Sequence, residues 1–460
     1  MTITASRLGS SPLTLDWSSL GQSHDKSTHQ NTWDVLKTRF HSNDVGFYDS
    51  PVLDDLSQFT KTKKLADEVL SSGKFKTVLC LGIGGSSLGP ITLLSALKHL
   101  TKTGLDILFV ENPDPTEWLY QIQKISPEST LVVCIAKSGT TFETLALFTL
   151  ALEWLGKSRW SSHAIAITDP KKGDLKKFAT DHQLKTLDIA PSIGGRFSVF
   201  SPVGLLPLLL AGLDAESFLN GAIKVRDYCE KTPVQKNALF NIGAELIGQF
   251  KKRPIHVCMP YSTSLKSFGA WFTQLWAESL GKNGKGFTPI AALGAVDQHS
   301  ILQLMRDGPD DKVTFFLKVE TPSKEIRVPK MIFGLPAFEI LENRGLHELL
   351  QIEYQAISLV MTKNERPHFT WSLEAIDEKN MGALLFASCV LTAFTGALWD
   401  VNPFDQPGVE EGKIYIRESL QKAAKQASEQ SSEDADNSAY ARLRTYANKE
   451  RGNSDGDNHS

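Results

Sequence analysis

Leu131-Val132-Val133-Cys134-Ile135-Ala136-Lys137-Ser138-Gly139-Thr140-Thr141-Phe142-Glu143-Thr144 reads as a buried strand that turns through a glycine into a helix. Its first five residues are strand formers without a charge, and an apolar, helix-like segment runs on from Leu145 to Leu155. A turn of this kind leaves backbone N–H groups without intrahelical partners at the positive end of the helix dipole, which makes a ready anion site. Four hydroxyls (Ser138, Thr140, Thr141, Thr144) and the ammonium of Lys137 crowd the same place. A helix cap needs one hydroxyl. Hydroxyls and an ammonium both donate to phosphate oxygens, so the stretch predicts an anion site rather than a cap alone.

The same strand-then-helix pattern spreads outward in both directions. Thr77–Leu81, Asp106–Val110 and Ala164–Thr168 read as further strands separated by helical segments. That alternation marks βαβ units with a parallel sheet. A similar layout follows: strands at Ile255–Met259, Pro289–Leu293 and Val313–Leu317, an amphipathic helix over Leu265–Leu280, and helices near 345–362 and 380–399. The expected fold is α/β, with two αβα sandwich domains over 66–215 and 216–412 and the boundary in the polar stretch 215–240. Residues 1–65 are expected as a helical and loop extension, and 413–460 as a C-terminal helix, reaching as far as Lys449, with a polar, partly disordered tail.

Composition narrows the class. With 460 residues, 41% apolar and 22% charged, the chain has the make-up of a soluble globular protein with a large core. A net charge of −3 carries no footprint for nucleic acid or an anionic membrane, so neither is an expected partner. Five scattered cysteines (Cys80, Cys134, Cys229, Cys258, Cys389) point to buried free thiols in a reducing, cytoplasmic compartment. No Cys-x-x-Cys or His-x-x-x-His pair signals a metal centre, and none is expected. Met1–Trp17 has no continuous apolar run, so no signal peptide is expected. Val199–Leu213 and Met381–Trp399 are apolar enough to be mistaken for membrane spans; two prolines in the first and the hydroxyls of Ser388, Thr392 and Thr395 in the second favour buried core helices.

Further motifs carry chemistry. Gly82-Ile83-Gly84-Gly85-Ser86-Ser87-Leu88-Gly89-Pro90 lies between a strand and a helix. With Glu111 after the next strand it admits a dinucleotide reading, but Ser87 takes the third glycine position. The alternative is a backbone cradle for a sugar or phosphate. Gly194-Gly195-Arg196-Phe197-Ser198 offers an arginine fork suited to oxyanions, or to a surface ion pair. Glu278, in Gln274–Lys282, ends a helix one turn before Lys282, and the two form either an exposed i, i+4 pair or part of a site. Gln298-His299 sits on a loop, and Asn402–Lys413 is a loop whose prolines and glycines fix its path.

Taken in order, Gly82–Pro90, Lys137–Thr144, Gly194–Ser198, Glu278-Ser279, Gln298-His299 and Phe404–Lys413 resemble the successive motifs of the glucose-6-phosphate isomerase (phosphoglucose isomerase) family, in its shorter bacterial form. The resemblance implies two sugar-isomerase (SIS-type) domains and interconversion of glucose 6-phosphate and fructose 6-phosphate without metal or cofactor. It also implies a homodimer. It assigns phosphate binding to Lys137, Ser138, Thr141 and Thr144 with Gly85 and Ser86 nearby, and a substrate contact to Gln406. Glu278 matches the base that moves the proton between C1 and C2, and Arg196 the residue facing the enediolate. His299 and Lys413 match the ring-opening pair, with His299 reaching the active site of the partner subunit. Ala136 stands where the family usually has serine. The competing readings are a non-catalytic sugar-phosphate regulator and, through Gly82–Gly89, a nicotinamide-dependent oxidoreductase.

Overall fold

The computed structural model describes residues 5–21, 29–42, 44–51, 56–101, 103–330 and 334–430. Among the described residues, eleven strands form two sheets. In chain order they are β1 (Ala5–Arg7), β2 (Leu13–Asp16), β3 (Thr77–Leu81), β4 (Asp106–Val110), β5 (Thr130–Ala136), β6 (Ala164–Thr168), β7 (Lys185–Asp188), β8 (Ile255–Pro260), β9 (Thr288–Ala291), β10 (Lys312–Val319) and β11 (His368–Leu373).

The first sheet has the order β4-β3-β5-β6-β7, parallel throughout. Its central strands β3, β5 and β6 are buried at every residue, as expected for a sheet covered on both faces. Helix Leu56–Ser71 and helix Pro202–Leu210 cover one face, where Leu65, Val69, Val203 and Leu206 pack with Val78, Val133 and Ile165. The chain order reverses between β3 and β5. Open parallel sheets bind ligands at such a switch point, outside the strand C-termini.

The second sheet has the order β1-β2-β11-β10-β8-β9, parallel from β11 to β9. The N-terminal segment, expected as helices and loops, also supplies β1 and β2, which pair antiparallel with each other and with β11. Leu13 and Leu15 point inward while Thr14 and Asp16 face solvent, an alternation too short to read in the sequence. Strands β7 and β11, which are short or carry polar residues, likewise show no apolar run in the sequence. The stretch 215–240 folds as helix Ala215–Lys231, which buries Phe218, Leu219 and Val225 and packs along helix Glu378–Leu398.

Helix Glu378–Leu398 is the core element between the layers. Among the described residues it is the one helix long and apolar enough to cross a membrane, yet 89% of its apolar window is buried inside the protein. All five cysteines are buried free thiols.

The chain forms two compact units. One, residues 1–118 and 125–405, contains both sheets; the other comprises 119–124 and 406 onward, with helix Glu410–Gln430. The tail expected beyond that helix lies outside the described residues.

Candidate active site

Because β3 and β5 are neighbours, the turns that leave their C-termini lie side by side. The turn after β5 passes through Gly139, whose φ of +64° places it in the left-handed region. It then enters helix Phe142–Leu155 at Thr141, whose side chain makes no capping hydrogen bond. Instead the hydroxyls cluster: Ser138 Oγ lies 3.2 Å from Thr140 Oγ1 and 3.4 Å from Thr141 Oγ1. Thr144 Oγ1 is buried in the first turn of the helix without a hydrogen-bond partner in the protein. Leaving such a group unpaired costs about 1–3 kcal/mol. Ala136 is buried at the end of β5, and its carbonyl accepts the Gly139 N–H and the Thr168 hydroxyl.

The structure gives Lys137 two backbone partners. Its Nζ donates to the carbonyls of Pro191 and Ile193, each at 2.8 Å, and burial pulls its pKa below the ordinary lysine value. Two of three donors therefore tie the turn to the chain returning from β7. That returning chain crosses the strand ends, and Gly194-Gly195 then meets the turn after β3. A Cβ placed on Gly85 would stand 2.2 Å from the carbonyl carbon of Gly195, so the two backbones meet where no side chain fits. Ser198 Oγ ties the same junction by donating to the carbonyls of Gly85, at 3.1 Å, and Gly195, at 2.7 Å. Ser86 lies in the 3-10 turn Gly84–Ser86. Ser87, in the third glycine position, donates to Glu111, so the acid a dinucleotide ribose would need is held against the turn.

The junction delivers Arg196 into the core. Its side chain is 1% exposed, and burial pulls its pKa down against the opposing charges of Glu278 and Asp405. Arg196 Nε donates to Ser279 Oγ at 2.7 Å; Nη2 donates to the carbonyls of Pro403 at 2.6 Å and Asp405 at 2.9 Å. Nη1 stands 3.6 Å from Glu278 Oε1. Glu278 reaches this place because helix Lys266–Leu280 buries Phe268, Trp271, Phe272 and Leu275, which leaves the Gln274–Glu278 edge toward the glycine turn. There a Cβ on Gly84 would lie 3.0 Å from Gln274 Nε2. The Glu278 side chain is 25% exposed. The result is a fixed carboxylate, open to solvent on one side and backed by a buried cation on the other.

The expected i, i+4 pairing of Glu278 with Lys282 does not form. Lys282 turns to Asp405 Oδ1 at 3.1 Å and to the carbonyls of Ser279 and Asn402 at 3.0 and 2.5 Å. Ser279, Lys282, Asp405 and Gln274, which lie within motifs legible in the sequence but carry no assigned role there, thus join the site through contacts with Arg196, with one another and with the Gly84 turn.

His299 ends the 3-10 turn Val296–His299 after β9 and is exposed. The turn is pinned through its neighbour, since Gln298 Nε2 donates to Tyr261 Oη at 3.0 Å. Gln406 and Lys413 belong to the second unit: Gln406 is at the N-cap of the 3-10 turn Pro407–Val409, and Lys413 Nζ pairs with Glu410 at 2.7 Å. Among the described residues no group of three or more His, Cys, Asp or Glu side chains is arranged to hold a metal ion.

Comparison with known proteins identifies the family. A glucose-6-phosphate isomerase from Rubrobacter xylanophilus is 41% identical over 363 residues, covering 76% of this chain and 83% of that protein. The crystal structure of a hypothetical protein from Thermus thermophilus superposes with a TM-score of 0.79 at 33% identity, covering 85% of this chain and 94% of that one. That of a glucose-6-phosphate isomerase from Chlamydia trachomatis shares the fold, with a TM-score of 0.75 at 22% identity over 96% of this chain and 92% of that one. The family model described as phosphoglucose isomerase matches residues 42–441, and this chain belongs to the phosphoglucose isomerase family.

Proposed function

We propose that the chain interconverts glucose 6-phosphate and fructose 6-phosphate through an enediolate, with Glu278 as the base that carries the proton. The observation that supports this most is the partly exposed Glu278 carboxylate held 3.6 Å from the buried guanidinium of Arg196, in the unit whose switch point presents the Lys137 and Gly85 turns. A protein that only bound a phosphosugar would have no use for a carboxylate backed in this way.

In this reading the sugar phosphate sits against Ser138, Thr141, Thr144 and Lys137 at the helix N-terminus, with Gly85 and Ser86 allowing close approach. The phosphate makes and breaks no bond; its binding energy holds the reacting carbons in place. His299 and Lys413 open the ring, as the family resemblance implies, and Gln406 contacts the sugar. Glu278 then takes the proton from the carbon beside the carbonyl and returns it to the neighbouring carbon. Arg196, which stays protonated, stabilises the enediolate that forms between the two steps.

The functional assembly in this reading is a cytoplasmic homodimer in which each copy contributes His299 to the other's site. In support, the exposed His299 is flanked by Val296 and Leu304, apolar side chains left 64% and 50% exposed. Phe338, Ile340 and Ile352 are further apolar side chains left exposed.

The test is a coupled assay with fructose 6-phosphate, in which turnover is expected and its absence refutes the assignment. Mixing inactive His299→Ala and Glu278→Gln proteins tests the shared site. Subunit exchange restores activity if the histidine acts across the dimer, and leaves the mixture inactive if it does not.

A further inference from the structure

We infer that Lys282 and Asp405 are positioning residues, which close a ring of polar contacts that orients the Arg196 guanidinium toward Glu278. The inference rests on the reading of Glu278 and Arg196 as the proton-transfer pair, and it adds two residues to which that reading gives no role.

The ring can be followed atom by atom. Arg196 Nε donates to Ser279 Oγ at 2.7 Å, and the carbonyl of the same serine accepts from Lys282 Nζ at 3.0 Å. Lys282 Nζ meets Asp405 Oδ1 at 3.1 Å, and the carbonyl of Asp405 accepts from Arg196 Nη2 at 2.9 Å. Two rungs brace it: Arg196 Nη2 to the Pro403 carbonyl at 2.6 Å and Lys282 Nζ to the Asn402 carbonyl at 2.5 Å. Two cations thus grip one helix end, at Ser279, and one loop, Asn402–Asp405.

Three features separate this from an ordinary surface ion pair. The Lys282 side chain is only 10% exposed, and its three N–H donors meet three acceptors on two different segments. The charges balance, with Arg196 and Lys282 against Glu278 and Asp405. Burial opposes charge on Asp405, but hydrogen bonds from Lys282 and Asn402 outweigh it and hold its carboxyl below the usual range. A guanidinium is a rigid plane, so fixing its Nε and Nη2 edges also fixes where Nη1 points, which is 3.6 Å from Glu278 Oε1. Without Lys282 the Asn402–Asp405 carbonyls lose their clamp, and the fork loses the acceptors that orient it.

The test uses the full chain and fructose 6-phosphate. Lys282→Met is expected to lower kcat by ~10- to 100-fold, the scale of a misplacement near 1 Å, with KM changed less than about threefold. The contacts that build the ring run through Ser279, Asn402, Pro403 and Asp405, apart from the Ser138–Thr144 turn, which is why KM should hold. Lys282→Arg, which restores a cation, should recover most of the loss. Asp405→Ala, which removes the side-chain acceptor at a position 53% exposed and so tolerant of change, should mimic Lys282→Met; the double variant should be no worse than the worse single one, because both break the same ring. A Lys282→Met or Asp405→Ala kcat within twofold of wild type overturns the inference. So do losses that multiply in the double variant, or a KM rise at constant kcat. An inactive wild type instead overturns the isomerase reading, and this inference with it.

Discussion

Glu278→Gln is the substitution that bears most directly on the site. The change keeps the shape of the side chain and removes its charge, so two consequences follow. The first is electrostatic. A unit charge 3.6 Å from the Arg196 guanidinium interacts with it by about 5 kcal/mol at an effective dielectric near 20. Because Glu278 is 25% exposed, solvent screens part of this, and the loss lies toward the lower end of the ~3–5 kcal/mol seen when one partner of a buried pair is removed. The carbonyls of Pro403 and Asp405 and the hydroxyl of Ser279 still receive the guanidinium, so the chain folds with a lowered thermal midpoint. The second consequence is chemical. An amide cannot accept the carbon-bound proton, and loss of a general base typically costs ~10²–10⁴ in rate. We expect kcat to fall by at least ~10² with KM changed less than about threefold, as for an interaction made in the transition state alone. Solvent-deuterium exchange at C2 should fall in parallel, because the same carboxylate removes that hydrogen. Glu278→Asp, which withdraws the carboxylate by one methylene, should lie between. A Glu278→Gln enzyme that isomerises within tenfold of wild type, or that still exchanges C2 hydrogen at the wild-type rate, refutes the assignment.

Three other outcomes follow from the same structure. Lys137→Ala should raise KM for the sugar phosphate with kcat less affected; in the wild type, since burial lowers the Lys137 pKa, kcat/KM should begin its alkaline fall below the ordinary lysine range, and a profile flat to about pH 10 would contradict this. Gly85→Ala should abolish activity and lower stability, because its Cβ meets the Gly195 backbone at 2.2 Å; a well-folded, active variant would show that the two turns are not in contact. Arg253 meets Asp310 in a fork, Nε–Oδ1 at 2.7 Å and Nη2–Oδ2 at 2.6 Å, just ahead of the paired strands β8 and β10, and these hydrogen bonds hold the Asp310 carboxyl well below its usual range. A lowered carboxylate pKa stabilises the fold above the unfolded value and is lost as pH falls, so Asp310→Asn should destabilise by ~1–3 kcal/mol at about pH 7 and by progressively less below about pH 4, and equal denaturation midpoints at neutral pH would refute the pairing.

The sequence alone determined the elements that local patterning controls. Uncharged runs such as Thr77–Leu81 and Leu131–Ile135 became fully buried central strands, because a strand covered on both faces has no polar side to show. Met381–Trp399 became the core helix between the layers, and Gly139 the left-handed turn into a helix. The strands it did not reveal, Leu13–Asp16, Lys185–Asp188 and His368–Leu373, are short or carry polar residues, and are held by pairing with neighbours. The site was legible as a set of residue types, not as an arrangement. Glu278 and Lys282, one helical turn apart, looked like a surface pair until the fold gave each a different partner: Arg196 from far earlier in the chain and Asp405 from far later. Spacing along a chain constrains contacts within a turn or two; which buried cation meets which carboxylate is decided by how the two layers close on each other, and only the tertiary structure holds that information.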